Sequence, residues 1–81
     1  MNNTEIFEHL RDILFQSFEI DPERVQLETH LFEDLDLDSI DAVDLAIKVQ
    51  EMTGKRIKPE EFKTVRTVHD VVQTIEHLLA S

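Results

Sequence analysis

The chain has 81 residues, with Asp+Glu 18 against Lys+Arg 8, a formal net charge of −10 and no cysteine. A charge of that sign argues against nucleic acid, whose phosphates demand cations, and against anionic membrane surfaces. The missing cysteine excludes a disulfide framework and a thiolate metal site, so any thiol chemistry needs a thiol from outside the sequence.

This length predicts a single domain over residues 1–81, burying only roughly 60–65% of its unfolded surface. Function is then expected on the surface of a small bundle rather than in a deep enclosed site. An apolar content of 41% suits a chain that folds. Met1-Asn2-Asn3-Thr4-Glu5 lacks the basic-then-apolar pattern of a signal peptide. No apolar run approaches the ~20 residues that span a bilayer. A cytoplasmic, soluble monomer is the expectation, with basic-surfaced proteins the partners such a field attracts.

In chain order, residues 3–18 predict an amphipathic helix. Ile6, Leu10, Ile13, Leu14 and Phe18 recur at three- and four-residue spacing, with Phe7 and Phe15 on the flanks. Asn2 or Asn3 can cap it, Glu5 and Glu8 suit its positive end, and Asp21-Pro22 marks its stop. Residues 21–38 form the longest connection, yet Val25, Leu27, Leu31, Phe32, Leu35 and Leu37 are too many apolar side chains for a mobile linker. An ordered crossover pinned to the core is expected, with a turn of helix near Pro22 and Val25. A second helix runs over 39–53, closed by Gly54, the one glycine. Pro59 opens a short element through Phe62. Thr67, with Asp70 three residues on, opens a last helix whose buried stripe is Val68, Val71, Val72, Ile75, Leu78 and Leu79. The fold class is all-α: a small four-helix bundle, three main helices and one short, with a long ordered loop between the first two.

Charge is unevenly placed. Between residues 28 and 51 the acids Glu28, Glu33, Asp34, Asp36, Asp38, Asp41, Asp44 and Glu51 face one base, Lys48. Beyond Met52 the sign reverses, with Lys55, Arg56, Lys58, Lys63 and Arg66 against Glu60 and Glu61. That asymmetry asks for more than solubility.

Several readings compete for the stretch from Glu33 to Leu45. Asp34, Asp36 and Asp38 match the opening of a calcium loop, but Ser39 stands where glycine belongs and Leu45 where the bidentate Glu belongs. Nucleophilic hydrolysis by Ser39 with one of His9, His30, His69 or His77 lacks the G-x-S-x-G elbow. A plain helix N-cap at Asp38 or Ser39 needs no function at all.

A cap does not account for the helix behind it. At 100° per residue Asp41, Asp44, Lys48 and Glu51 gather on one side, with Leu45, Val49 and Met52 on the flank that suits a core. Ile40, Val43 and Ile47 form a separate stripe on the other flank. A bundle helix needs one apolar stripe; a second one beside acids reads as a docking surface.

Asp38-Ser39-Ile40, preceded by Phe32-Glu33-Asp34-Leu35 and followed by the acidic-apolar helix, is similar to the D-S-L signature of acyl carrier proteins. The likeness runs on through Ile57-Lys58-Pro59-Glu60-Glu61 and Thr67-Val68, along the whole chain. The resemblance implies that Ser39 receives 4′-phosphopantetheine from coenzyme A, added by a phosphopantetheinyl transferase (holo-ACP synthase) that needs magnesium. The arm's thiol, which the cysteine-free chain lacks, would hold acyl groups as thioesters for a type II fatty-acid or polyketide/polyene pathway. It implies a carrier rather than an enzyme, with no catalytic or metal-binding residue of its own. Asp38, Asp41, Asp44 and Glu51, with Ile40, Val43 and Ile47, would dock ketosynthase and other basic-surfaced acyl-processing enzymes, and the helix-end amides would tolerate the phosphodiester. Two other readings stay open: a carrier of an aminoacyl or aryl group loaded by an adenylating enzyme, and an unmodified helical interaction module. The chain departs from the family pattern at Asp36, where glycine is common and a left-handed aspartate is expected, and at Ile40 and Lys58.

Overall fold

In the structure, a computed structural model, residues 2–62 and 64–80 are described, Pro59 by its backbone alone. Helix α1 (Asn3–Phe18) starts where Asn2 is extended and its side chain accepts the Glu5 N–H at 2.9 Å. That fills one of the donors every helix start leaves unpaired. Ile6, Leu10 and Leu14 are fully buried, Phe7, Ile13 and Phe18 half-buried, and Phe15 exposed. The helix covers the residues its periodicity predicts and stops before Asp21-Pro22. It ends at Glu19, which turns left-handed at φ 57, with Glu19 N–H on the Phe15 carbonyl at 3.0 Å and Ile20 N–H on that of Leu14 at 3.1 Å. This bond pair is a Schellman closure, usually built on glycine. Burial of Ile20 directly after it gives the closure its apolar anchor. Asp21 then caps a 3-10 turn, Pro22–Arg24, by accepting the Glu23 N–H at 2.9 Å.

The long connection is ordered, as its apolar content predicts. Val25, Leu31, Leu35 and Leu37 enter the core, while Leu27 stays largely exposed and Phe32 half-buried. Polar contacts hold the backbone between these anchors. Thr29 Oγ1 accepts the Gln26 N–H at 2.8 Å and donates to the Arg24 carbonyl at 3.0 Å, and Arg11 Nε donates to the Pro22 carbonyl at 3.1 Å. Leu31 N–H meets the Arg66 carbonyl at 2.8 Å, and Val68 and His69 N–H meet the carbonyls of Thr29 and Leu27 at 3.0 and 2.9 Å. The crossover therefore supplies acceptors for the orphan amides at the start of the last helix. His30 and Thr67 form an isolated antiparallel bridge there.

Helix α2 (Ser39–Thr53) closes at Gly54, φ 70, whose N–H reaches the Gln50 carbonyl at 2.8 Å. A Cβ at this position would meet nothing within 4 Å, so backbone conformation, not space, calls for glycine. Helix α3 (Pro59–Phe62) is one turn that seats the fully buried Phe62. Helix α4 (Val68–Ala80) begins at a reciprocal cap: Asp70 N–H meets Thr67 Oγ1 at 3.2 Å, and Asp70 Oδ2 accepts from Thr67 and Arg66 N–H, each at 3.1 Å. Those backbone donors hold the Asp70 carboxyl below the usual aspartate value. Val68, Val71, Val72 and Ile75 are buried, with Leu78 and Leu79 half-buried against the same cluster. Helix α1 packs chiefly on α4, and α2 on α3. The described residues thus form a bundle of three long helices and one short one.

Candidate functional site

The start of α2 is set by the loop before it. Leu35 and Leu37 are buried and Asp34, Asp36 and Asp38 exposed, so the alternation turns the acids outward. Asp36 makes the turn in the left-handed region at φ 56, the conformation its place in the motif predicts. Asp34 is occupied structurally: its Oδ2 accepts the His30 N–H at 2.8 Å, and its carbonyl accepts from Arg24 Nη2.

Of the two candidate caps, Asp38 takes the position. Its backbone is extended, and Oδ1 accepts the N–H groups of Ile40 at 3.0 Å and Asp41 at 2.9 Å. Asp41 Oδ2 returns a bond from the Asp38 N–H at 3.1 Å, completing a capping box. An ionised carboxylate makes stronger bonds to amides than a hydroxyl does, which favours this register. Ser39 is therefore not the cap but the first helical residue. It is exposed, and its hydroxyl bonds to no described residue. The cap also takes helix-end amides that sequence reasoning had left for a phosphodiester. Asp41, expected on the free solvent side, is half-buried and serves the box; this role was legible in the D-x-x-D spacing.

Behind Ser39 the two faces separate. Ala42, Leu45, Ala46 and Val49 are buried, with Met52 packed half-buried against the core. The two buried alanines were missed in the sequence; their i, i+3, i+4, i+7 pattern with Leu45 and Val49 was the signal. On the outer side Ile40 is 74% and Ile47 46% exposed, with Val43 half-buried between them. Asp44, Lys48 and Glu51 are exposed alongside and form no ion pair with a described residue. The second stripe is thus an apolar strip that the fold leaves uncovered.

No histidine forms a hydrogen bond with Ser39 among the described residues. His9, His69 and His77 are exposed on their helices, whereas His30 is half-buried, edge-on to Phe32, with Nδ1 accepting the Glu33 N–H at 3.1 Å. Among the described residues no group of three His, Cys, Asp or Glu is arranged to hold a metal. No helix of the described residues is long and apolar enough to cross a membrane.

Comparison with known proteins places this arrangement. The family model described as a phosphopantetheine attachment site matches residues 8–75. The chain is 67% identical over 81 residues to acyl carrier protein 2 of Ralstonia nicotianae, covering 100% of both chains. It is 37% identical over 81 residues to the acyl carrier protein of Thermosynechococcus vestitus, again covering 100% of both. The crystal structure of the acyl carrier protein from Thermotoga maritima superposes with a TM-score of 0.85 at 28% identity, covering 99% of this chain and 93% of that one. With an exposed serine opening an acidic, half-apolar helix and a match along its full length, the chain belongs to the acyl carrier protein family and carries covalently attached 4′-phosphopantetheine.

Proposed function

We propose that Ser39 is the attachment residue and that the chain carries acyl intermediates of a type II fatty-acid or polyketide pathway in the cytoplasm. The observation that carries this reading is the division of labour at the start of α2. Asp38 and Asp41 build the cap, so Ser39 is held at a helix start with an exposed hydroxyl that the fold does not use. The residues present fit the group. Nothing shields Ser39, and the N–H groups of Ile40 and Asp41 are already bonded to Asp38. An arm joined here is not clamped by those amides, which suits cargo that must reach several enzymes.

In the transfer, Ser39 Oγ forms the new bond to the β-phosphorus of coenzyme A. The phosphoanhydride bond breaks, 3′,5′-ADP leaves, and the hydroxyl proton passes to a base of the transferase. The bound group supplies a terminal thiol for thioester formation. The chain's own part is to hold Ser39 at a fixed point and to present a recognition face. Asp38, Asp41, Asp44 and Glu51, with Ile40, Val43 and Ile47, are that face: carboxylates speed encounter with basic partner surfaces, and the apolar strip gains from burial once contact is made. The transferase, a ketosynthase and further acyl-processing enzymes are the partners it fits.

The test is an intact mass after incubation with coenzyme A, magnesium and a broad-specificity transferase. Wild type is expected to gain one phosphopantetheine unit and Ser39→Ala none. Absence of the gain on wild type, or an equal gain on the variant, would refute the assignment.

A further inference from the structure

The docking face does not end in more acid. Just beyond Gly54, which caps α2, Lys55, Arg56 and Lys58 are exposed and form no ion pair with a described residue. Their backbone is held. Gly54 N–H bonds the Gln50 carbonyl at 2.8 Å, Lys55 N–H meets Thr53 Oγ1 at 3.2 Å, and Ile57 N–H meets Gln50 Oε1 at 2.9 Å. Ile57 is buried, so the segment is anchored between cations that point away from the core. Lys58 closes it, its carbonyl accepting the Glu61 N–H at 2.9 Å.

A helix of 15 residues is about 22 Å long at 1.5 Å per residue. At physiological salt the screening length is about 8 Å, so the cations past the end of the helix do not cancel the field of Asp38 and Asp41 at its start, and Glu51 is the docking acid nearest to them. Lys55 follows Glu51 by four residues, with the left-handed Gly54 between them. A partner that engages α2 as far as Glu51 therefore comes close to the cations. A partner groove that stays basic past Glu51 meets like charge there, which opposes docking.

We propose that Lys55, Arg56 and Lys58 are a selectivity element: they admit partner enzymes whose basic patch is followed by carboxylates at the far end of α2, and they disfavour enzymes that are basic throughout. This rests on α2 being the docking face. The charge pair also fixes which way along the groove the helix lies.

The test compares the holo-carrier with three variants: Lys55→Glu/Arg56→Glu/Lys58→Glu, the corresponding triple Gln variant, and Asp44→Lys. Association rates with each ketosynthase of the host organism are measured at low salt and at about 0.15 M. For at least one ketosynthase the Glu triple is expected to slow association at least fivefold at low salt and the Gln triple by less, with the gap narrowing at the higher salt. Unchanged or faster association of both triples with every ketosynthase, while Asp44→Lys still slows it, overturns the selectivity element and leaves the docking face standing. No effect of Asp44→Lys on any ketosynthase overturns the docking face itself, and this inference with it. Circular dichroism and melting of each variant confirm that the slowing is read on folded protein.

Discussion

Helices α2 and α4 are built alike and used differently. Both open with an Asp-containing reciprocal cap, but α4 carries one apolar stripe and α2 carries two. In α4 the apolar side chains turn inward: Val68, Val71, Val72 and Ile75 are buried, and Leu78 and Leu79 pack at the edge of the core. In α2 the bundle takes only Ala42, Leu45, Ala46 and Val49 fully, leaving Ile40 and Ile47 to solvent. A burial that the fold could use is withheld on one helix and taken on the other. The lesson is that excess hydrophobicity on a helix is informative about function only once the neighbours that could cover it are known.

The largest effect expected from breaking this comparison is in the core. Ile75→Ala in α4 should lower unfolding free energy by about 2–4 kcal/mol, whereas Ile47→Ala in α2 should stay within about 0.5 kcal/mol, both by urea denaturation. Equal losses would mean that Ile47 is a core residue after all. The caps come next. Asp38→Ala and Thr67→Ala should each cost about 1 kcal/mol. Asp41→Lys should also destabilise, because it removes the return bond to Asp38 N–H and puts a cation at the positive end of the helix. Asp44→Lys should leave stability nearly unchanged while slowing partner association, so it reads docking without the cap.

The α4 cap carries a pH signature as well. The Thr67 and Arg66 amides lower the folded pKa of Asp70 relative to the unfolded chain. Its contribution is then complete above the ordinary aspartate value of about 4 and is lost as pH falls through the lower folded value. The stability gap between wild type and Asp70→Asn should be present at pH 7 and close on acidification below that range, followed by denaturation at stepped pH. The smallest effect sharpens the approach to α2: Asp36→Gly should stabilise by up to about 1 kcal/mol, because glycine holds φ 56 without the Cβ penalty. A loss instead would mean that the Asp36 carboxylate supports the loop.

Much of the fold was legible because its determinants are local. The helix over 39–53 follows from an acidic cap and a closing glycine, the last helix from Thr67 and Asp70, and the left-handed Asp36 from its place in the motif. The end of α1 at Phe18 follows from its apolar spacing, but the device that closes it was not legible, since the Schellman closure falls on Glu19 rather than glycine. The choice between Asp38 and Ser39 as the cap stayed open because each side chain alone is competent; the D-x-x-D spacing to Asp41 was the signal for Asp38, and the Ile40 and Asp41 amides bond to it.

By itself, then, the sequence determined a helical chain with an acidic second helix, a serine at its start and an apolar stripe more than a core requires, because periodicity and capping are properties of neighbouring residues. Only the tertiary structure decided that the long crossover supplies the α4 amides with acceptors and which residues of α2 the bundle covers fully. Those outcomes depend on contacts between segments distant in sequence and on which side of α2 the bundle occupies, and no local pattern carries that information.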